Sequence, residues 1–176
     1  MPDYEFFILK DNKDIIEYEK GLYKAFTKIT LSEWREKNYK LIDGNRYKCN
    51  IEYEDQVLYA IKEDNKVVLA LSVQVNFKDK MLIEKLGFKL REEDKTKKIC
   101  EGLDFFSFIK MGIKSFEIYL NFFNFVLKDI REKGFKVIYG SCEEKLSLFY
   151  KEAGFNFIDS KDINGKKELL LRIKLD

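Results

Sequence analysis

The chain has 176 residues, 45% hydrophobic and 36% charged, enough for one sizeable core and unlike a disordered or membrane-embedded chain. Its formal charge is only +2, from 33 basic and 31 acidic residues, which leaves no electrostatic footprint for nucleic acid. It contains no histidine, so Ser-His-Asp catalysis, Cys-His catalysis and a histidine general base are all excluded.

Any chemistry must therefore come from carboxylates, tyrosine, lysine, cysteine or backbone amides. Cys49, Cys100 and Cys142 are far apart and odd in number, which reads as free thiols of a reducing cytosol and offers no zinc set. The first residues lack the basic-then-apolar layout of a signal peptide, and no apolar stretch is long enough to span a bilayer. The expected location is the cytoplasm.

In chain order, Tyr4 to Lys10 is a short apolar strand, and Asp14 is the expected cap of a helix carrying Ile15, Tyr18, Leu22 and Phe26. Ser32 opens a second helical stretch that Asp43-Gly44 ends. Gln56 to Glu63 and Lys66 to Phe77 form a hairpin around Asp64-Asn65, residues that tolerate positive φ. Lys78 to Lys98 reads as a helix followed by a mobile loop, and Ile99 to Lys110 as a strand bulged near Gly102. Ser115 to Lys133 is the longest helix, apolar almost all round, with Gly134 as its stop. Lys136 to Cys142 is a buried strand, Glu143 to Ala153 a helix, and Phe157-Ile158 and Glu168 to Leu175 the last two strands. No linker interrupts the chain, so one domain over 1–176 is expected.

This order, together with Arg131-Glu132-Lys133-Gly134-Phe135, Val137 to Cys142 and Tyr150-Lys151-Glu152-Ala153-Gly154-Phe155, resembles the GNAT (general N-acetyltransferase) superfamily. The resemblance implies an α/β layered fold: a mixed, mostly antiparallel sheet of six or seven strands flanked by about four helices. It also implies acetyl-CoA or a longer acyl-CoA as co-substrate. In that family a strand end and the turn into the long helix wrap the CoA pyrophosphate, because a helix N-terminus carries unpaired N–H groups. The matching residues here are Phe108, Ile109, Lys110, Met111, Gly112, Ile113, Lys114, Ser115 and Phe116. The turn departs from the family pattern, with Ile109 at the usual Gln/Arg position and Lys114 at the second small residue.

Tyr150 falls at the family's Tyr position, where a hydroxyl protonates the departing thiolate; its other reading is a core aromatic. Glu101 and Asp104 are the candidate bases, and three residues apart on one strand they point to opposite faces. Phe105, Phe106, Phe108 and Phe116 would line an acyl chain or simply fill the core. The resemblance thus implies an N-acyltransferase acting on a small-molecule or peptide amine, without nucleic-acid or membrane partners. The alternative is a catalytically inactive module of the same fold, homodimeric through the apolar long helix.

Overall fold

The computed structural model describes residues 4–27, 36–110 and 113–175. The first strand, β1 (Phe6–Leu9), leads into α1 (Asn12–Phe26). The cap of α1 is Asp11 rather than Asp14: the Asp11 carboxylate accepts the Asp14 N–H at 2.8 Å. Asp14 sits in the first turn, where its charge favours the positive end of the helix dipole. Tyr18, Leu22 and Phe26 are buried, as their spacing predicts.

The second expected helix gives way to a hairpin. Ser32 and Glu33 lie outside the described residues; residues 36–38 are helical, and then β2 (Tyr39–Ile42) and β3 (Arg46–Cys49) pair antiparallel. Asp43 (φ 49°) and Gly44 (φ 72°) form its turn, since Asp-Gly suits a tight hairpin as well as it suits a helix end. The next hairpin is the expected one, β4 (Gln56–Glu63) and β5 (Lys66–Gln74), turning on Asp64 (φ 49°) and Asn65 (φ 61°).

After β5 there is neither a long helix nor a free loop. A single turn, α2 (Leu82–Lys85), closes at Gly87 (φ 89°), and a 3-10 turn follows at Glu92–Asp94. The apolar residues Met81, Ile83 and Phe88 are buried against Val137, Tyr139 and Leu170, which ties this strap to the sheet. Next, β6 (Ile99–Ser107) runs unbroken through Gly102 and stops short of Lys110. The long helix α3 (Ile113–Glu132) ends in an αL glycine, Gly134 (φ 85°), with the Phe135 N–H bonded to the Ile130 carbonyl. Phe122 on α3 is fully buried within the chain, so its burial needs no second copy.

The strand β7 (Val137–Glu143) passes through a 3-10 turn into α4 (Ser147–Glu152), a shorter helix than the expected Glu143–Ala153. The chain finishes with β8 (Asn156–Ile163) and β9 (Lys166–Lys174), joined at Asn164-Gly165. Their ladder shifts register between Phe157 and Asp159, and the Ser160 N–H is bonded to the Asp159 carboxylate at 2.8 Å.

The seven main strands form one mixed sheet in the order β1-β4-β5-β6-β7-β9-β8, and β2-β3 a separate ribbon. The β1–β4, β7–β9 and β8–β9 ladders are antiparallel and β6–β7 is parallel, the mixed, mostly antiparallel α/β architecture expected. Two compact units divide the chain, Met1–Ser72 with Asp104–Met111, and Val73–Leu103 with Gly112–Asp176. The first has its core around Tyr18, Leu22, Leu58 and Phe106. Among the described residues no helix is long and apolar enough to cross a membrane.

Candidate active site

In the first unit the chemistry gathers on Asp104, which is only 3% exposed. Tyr39 of β2 donates its hydroxyl to one carboxylate oxygen, and the Tyr18 hydroxyl of α1 donates to the other at 3.3 Å. The Asp104 N–H donates to the Ser72 hydroxyl at 3.3 Å. Burial pushes the Asp104 carboxyl up to about 6, while the hydrogen bonds from Tyr39, Tyr18 and Ser72 pull the other way. Burial, followed by the charge of Asp104, lifts both tyrosine hydroxyls well above their ordinary range. Both therefore stay protonated at neutral pH and act as donors.

Phe106, beside this cluster, packs on the backbone of α1: a Cβ added at Gly21 would lie 2.4 Å from its ring. Phe108 stacks at 5.5 Å from Phe106, with the Lys24 ammonium 4.4 Å from its own ring. A second buried acid, Glu19, accepts from the Tyr53 hydroxyl at 2.6 Å and from Arg46 at 3.1 Å.

In the second unit Glu101 is also buried, yet its surroundings differ. Its two oxygens accept the backbone N–H groups of Leu82 and Ile83, each at 2.8 Å, where α2 begins. Burial raises its carboxyl to about 7, opposed by those two amides; Glu84 adds to the rise and Lys85 reduces it. The two candidate bases thus meet different partners, as their three-residue spacing requires.

A second fastening lies further along the strap. Arg172 of β9 holds Asp94 through two nitrogens, at 2.6 and 2.8 Å, and the Tyr139 hydroxyl donates to Asp94 at 2.6 Å. The Arg172 bonds hold the Asp94 carboxyl well below the usual carboxylate range.

Tyr150 of α4 is buried among Phe123, Phe149 and Phe155, with ring centroids 6.0, 5.2 and 5.7 Å away. Its hydroxyl has no hydrogen-bond partner among the described residues. Burial, then the neighbouring Cys142 and Glu168, raises its ionisation above the ordinary range. Cys142 is itself pushed up to about 12, chiefly by burial, so it rests as an inert thiol; all three cysteines are free and buried.

Of the expected CoA turn, Met111 and Gly112 lie outside the described residues, as do the side chains of Ile113 and Lys114. The Phe108 N–H donates to the Val68 carbonyl at 2.7 Å, and the Ile109 N–H to the Ser107 hydroxyl at 3.1 Å. Lys110 is exposed, Ser115 buried, and Phe116 half-buried with its ring edge-on to Phe149 at 6.4 Å. The ladder between β6 and β7 covers only Ile99↔Val137, Cys100↔Ile138 and Glu101↔Tyr139, whereas β7 pairs with β9 along its whole length.

Comparison with known proteins shows the fold. Structural similarity runs over nearly the whole chain. A CoA-dependent acyl-homoserine lactone synthase, BjaI, solved with SAM and isopentyl-CoA, superposes over 98% of this chain and 84% of its own, with a TM-score of 0.73 at 13% identity. FeeM, an N-acyl amino acid synthase from uncultured soil microbes, covers 99% and 92%, with a TM-score of 0.68 at 12% identity. A probable acetyltransferase from Staphylococcus epidermidis covers 97% and 98%, with a TM-score of 0.61 at 9% identity.

The chain has the GNAT fold.

No protein-family model matches the sequence, and no curated protein matches it either. In this GNAT fold the candidate acid was legible from the Tyr-x-x-x-Gly-Phe spacing. The phenols around Asp104 were not. Tyr18 read only as one member of an apolar stripe, and Tyr39 lay in a stretch that read as helix. Asp94 and Arg172 are 78 positions apart, a separation that no local pattern reveals.

Proposed function

We propose that this GNAT-fold chain is an acyl-CoA-dependent N-acyltransferase whose acceptor is the amine of an amino acid or of a small molecule built on one. The observation that carries the reading is Tyr150. It stands at the Tyr-x-x-x-Gly-Phe position, buried, with its hydroxyl bonded to nothing among the described residues. The hydroxyl is not among the buried polar atoms left without a partner, so it meets solvent at the tip of a buried ring, where its proton can be passed on. Acyl transfer needs such a proton. The acceptor nitrogen attacks the thioester carbonyl, the C–S bond breaks, and the departing thiolate takes the Tyr150 proton while the amine loses one of its own.

Asp104 of the first unit is proposed as a candidate base, because its oxygens face exchangeable hydroxyls and burial pushes its carboxyl up to about 6. Glu101 has a comparable carboxyl, but each of its oxygens already holds a backbone amide of the strap. The co-substrate would enter at the Phe108–Phe116 turn. The short β6–β7 ladder supports a pantetheine arm bonded along the strand edge there. Acceptors of amino-acid type are suggested by the neighbours described as making acyl-homoserine lactones and N-acyl amino acids.

The test is release of free CoA thiol from acetyl-CoA and from a long-chain acyl-CoA, each offered with a panel of amino acids and simple amines. Acceptor-dependent thiol release is expected, with a Tyr150→Phe loss of about 10- to 100-fold in kcat. Failure of every acyl-CoA to raise the melting temperature at millimolar concentration would overturn the enzyme reading.

A further inference from the structure

A buried carboxylate is ordinarily matched by a cation, and among the described residues none is bonded to Asp104. Among the described residues, the groups that face it come from several elements: Tyr18 of α1, Tyr39 of β2, Tyr53 of the 3-10 turn before β4, and the Ser72 hydroxyl of β5, with Cys49 of β3 beside the tyrosines. None carries positive charge. Arg46, close to this cluster through Glu19 and Tyr53, is spent on Glu19 at 3.1 Å and on Asp43 at 2.5 Å. Among the described residues, the strong donors on the Asp104 oxygens are therefore two phenols, and one of them belongs to a hairpin outside the main sheet.

We propose that Tyr39 and Tyr18 are positioning residues for Asp104, whose hydroxyls keep its carboxylate ionised and aimed. This rests on the reading of Asp104 as the base of the proposed reaction, but the physical claim stands apart from any turnover. A phenol that donates to the ionised form lowers the pH at which that form appears, and its removal leaves burial unopposed. The β2–β3 ribbon would then be the part of the fold that sets the working pH.

The test is a carbon-13 NMR titration of the Asp104 carboxyl, its signal assigned by loss in Asp104→Asn. In Tyr39→Phe the midpoint is expected to rise by about one pH unit. Tyr18→Phe, whose bond is the longer one at 3.3 Å, should move it less. Phe26→Leu serves as the packing control, because the Phe26 ring meets Tyr39 edge-on at 5.5 Å and offers no polar atom. It should lower the melting temperature and leave the midpoint in place. Where turnover is measurable, the acid limb of the pH–rate profile should follow the same order.

A folded Tyr39→Phe protein with an unmoved midpoint overturns the proposal, as does tyrosinate absorbance appearing together with the Asp104 titration. Should Tyr39→Phe fail to fold, the Tyr18→Phe midpoint decides in the same way. If no acyl-CoA is ever turned over yet the midpoints move as stated, the enzyme reading fails while the pairing of phenols with Asp104 survives.

Discussion

At the residue scale, Asp104 links burial to a measurable pH response. Its carboxyl ordinarily titrates at 3.8 and in the fold at about 6, so the folded state favours the protonated form. That contribution is fully present below pH 3.8, is lost as pH rises through 6, and amounts to about 3 kcal/mol. Denaturant unfolding of the wild type between pH 4 and pH 7 should show this loss, and Asp104→Asn should flatten that part of the curve. Tyr150 makes the opposite case. Because its hydroxyl has no partner among the described residues, Tyr150→Phe should change stability by less than about 0.5 kcal/mol. A thermal melt checks this, and a large loss would mean that the phenol holds the fold rather than serving a reaction.

At the element scale, two unlike fastenings hold the strap between β5 and β6. Glu101 collects the first amides of α2, and Arg172 with Tyr139 collects Asp94. Replacing Arg172 with Met leaves the buried Asp94 carboxylate to Lys97, at 2.8 Å, and Tyr139, and should cost less than the ~3–5 kcal/mol of an uncompensated buried charge, part of it recovered by adding Asp94→Leu. Urea unfolding of the single and double variants measures both numbers. Gly21 shows a similar dependence in α1. A glycine inside a helix usually costs about 1 kcal/mol against alanine, yet Phe106 occupies the space where a Cβ would sit. Gly21→Ala should therefore destabilise by about 1–3 kcal/mol, against the helix propensity.

These elements also mark where sequence reading reaches its limit. The β4–β5 hairpin was legible because Asp64-Asn65 and its flanking strands are all local. The stretch from Ser32 to Asp43 was not, since Asp-Gly ends helices and turns hairpins alike, and only burial of Tyr39, Tyr47 and Cys49 together selects the ribbon. The strap read as a helix and loop because its apolar residues have helical spacing, whereas its polar anchors lie on β6, β7 and β9. For the site, the candidate acid lay within one short motif, but Asp104 draws its partners from residues 18, 39 and 72. No window of sequence contains them.

For the whole molecule, the outer strand β8 bears on how the chain behaves in company. It is the last strand of the sheet, and an open edge normally presents unpaired N–H groups to any passing chain. Here the ladder shifts register at Phe157–Asp159, and Asp159 takes up the Ser160 N–H with its own carboxylate. One acidic side chain thereby supplies both a charge and a local acceptor on the outer strand. Exchanging Asp159 for alanine releases the amide beside an exposed Phe157 and should turn a quiet edge into an adhesive one, visible as light scattering that grows with concentration.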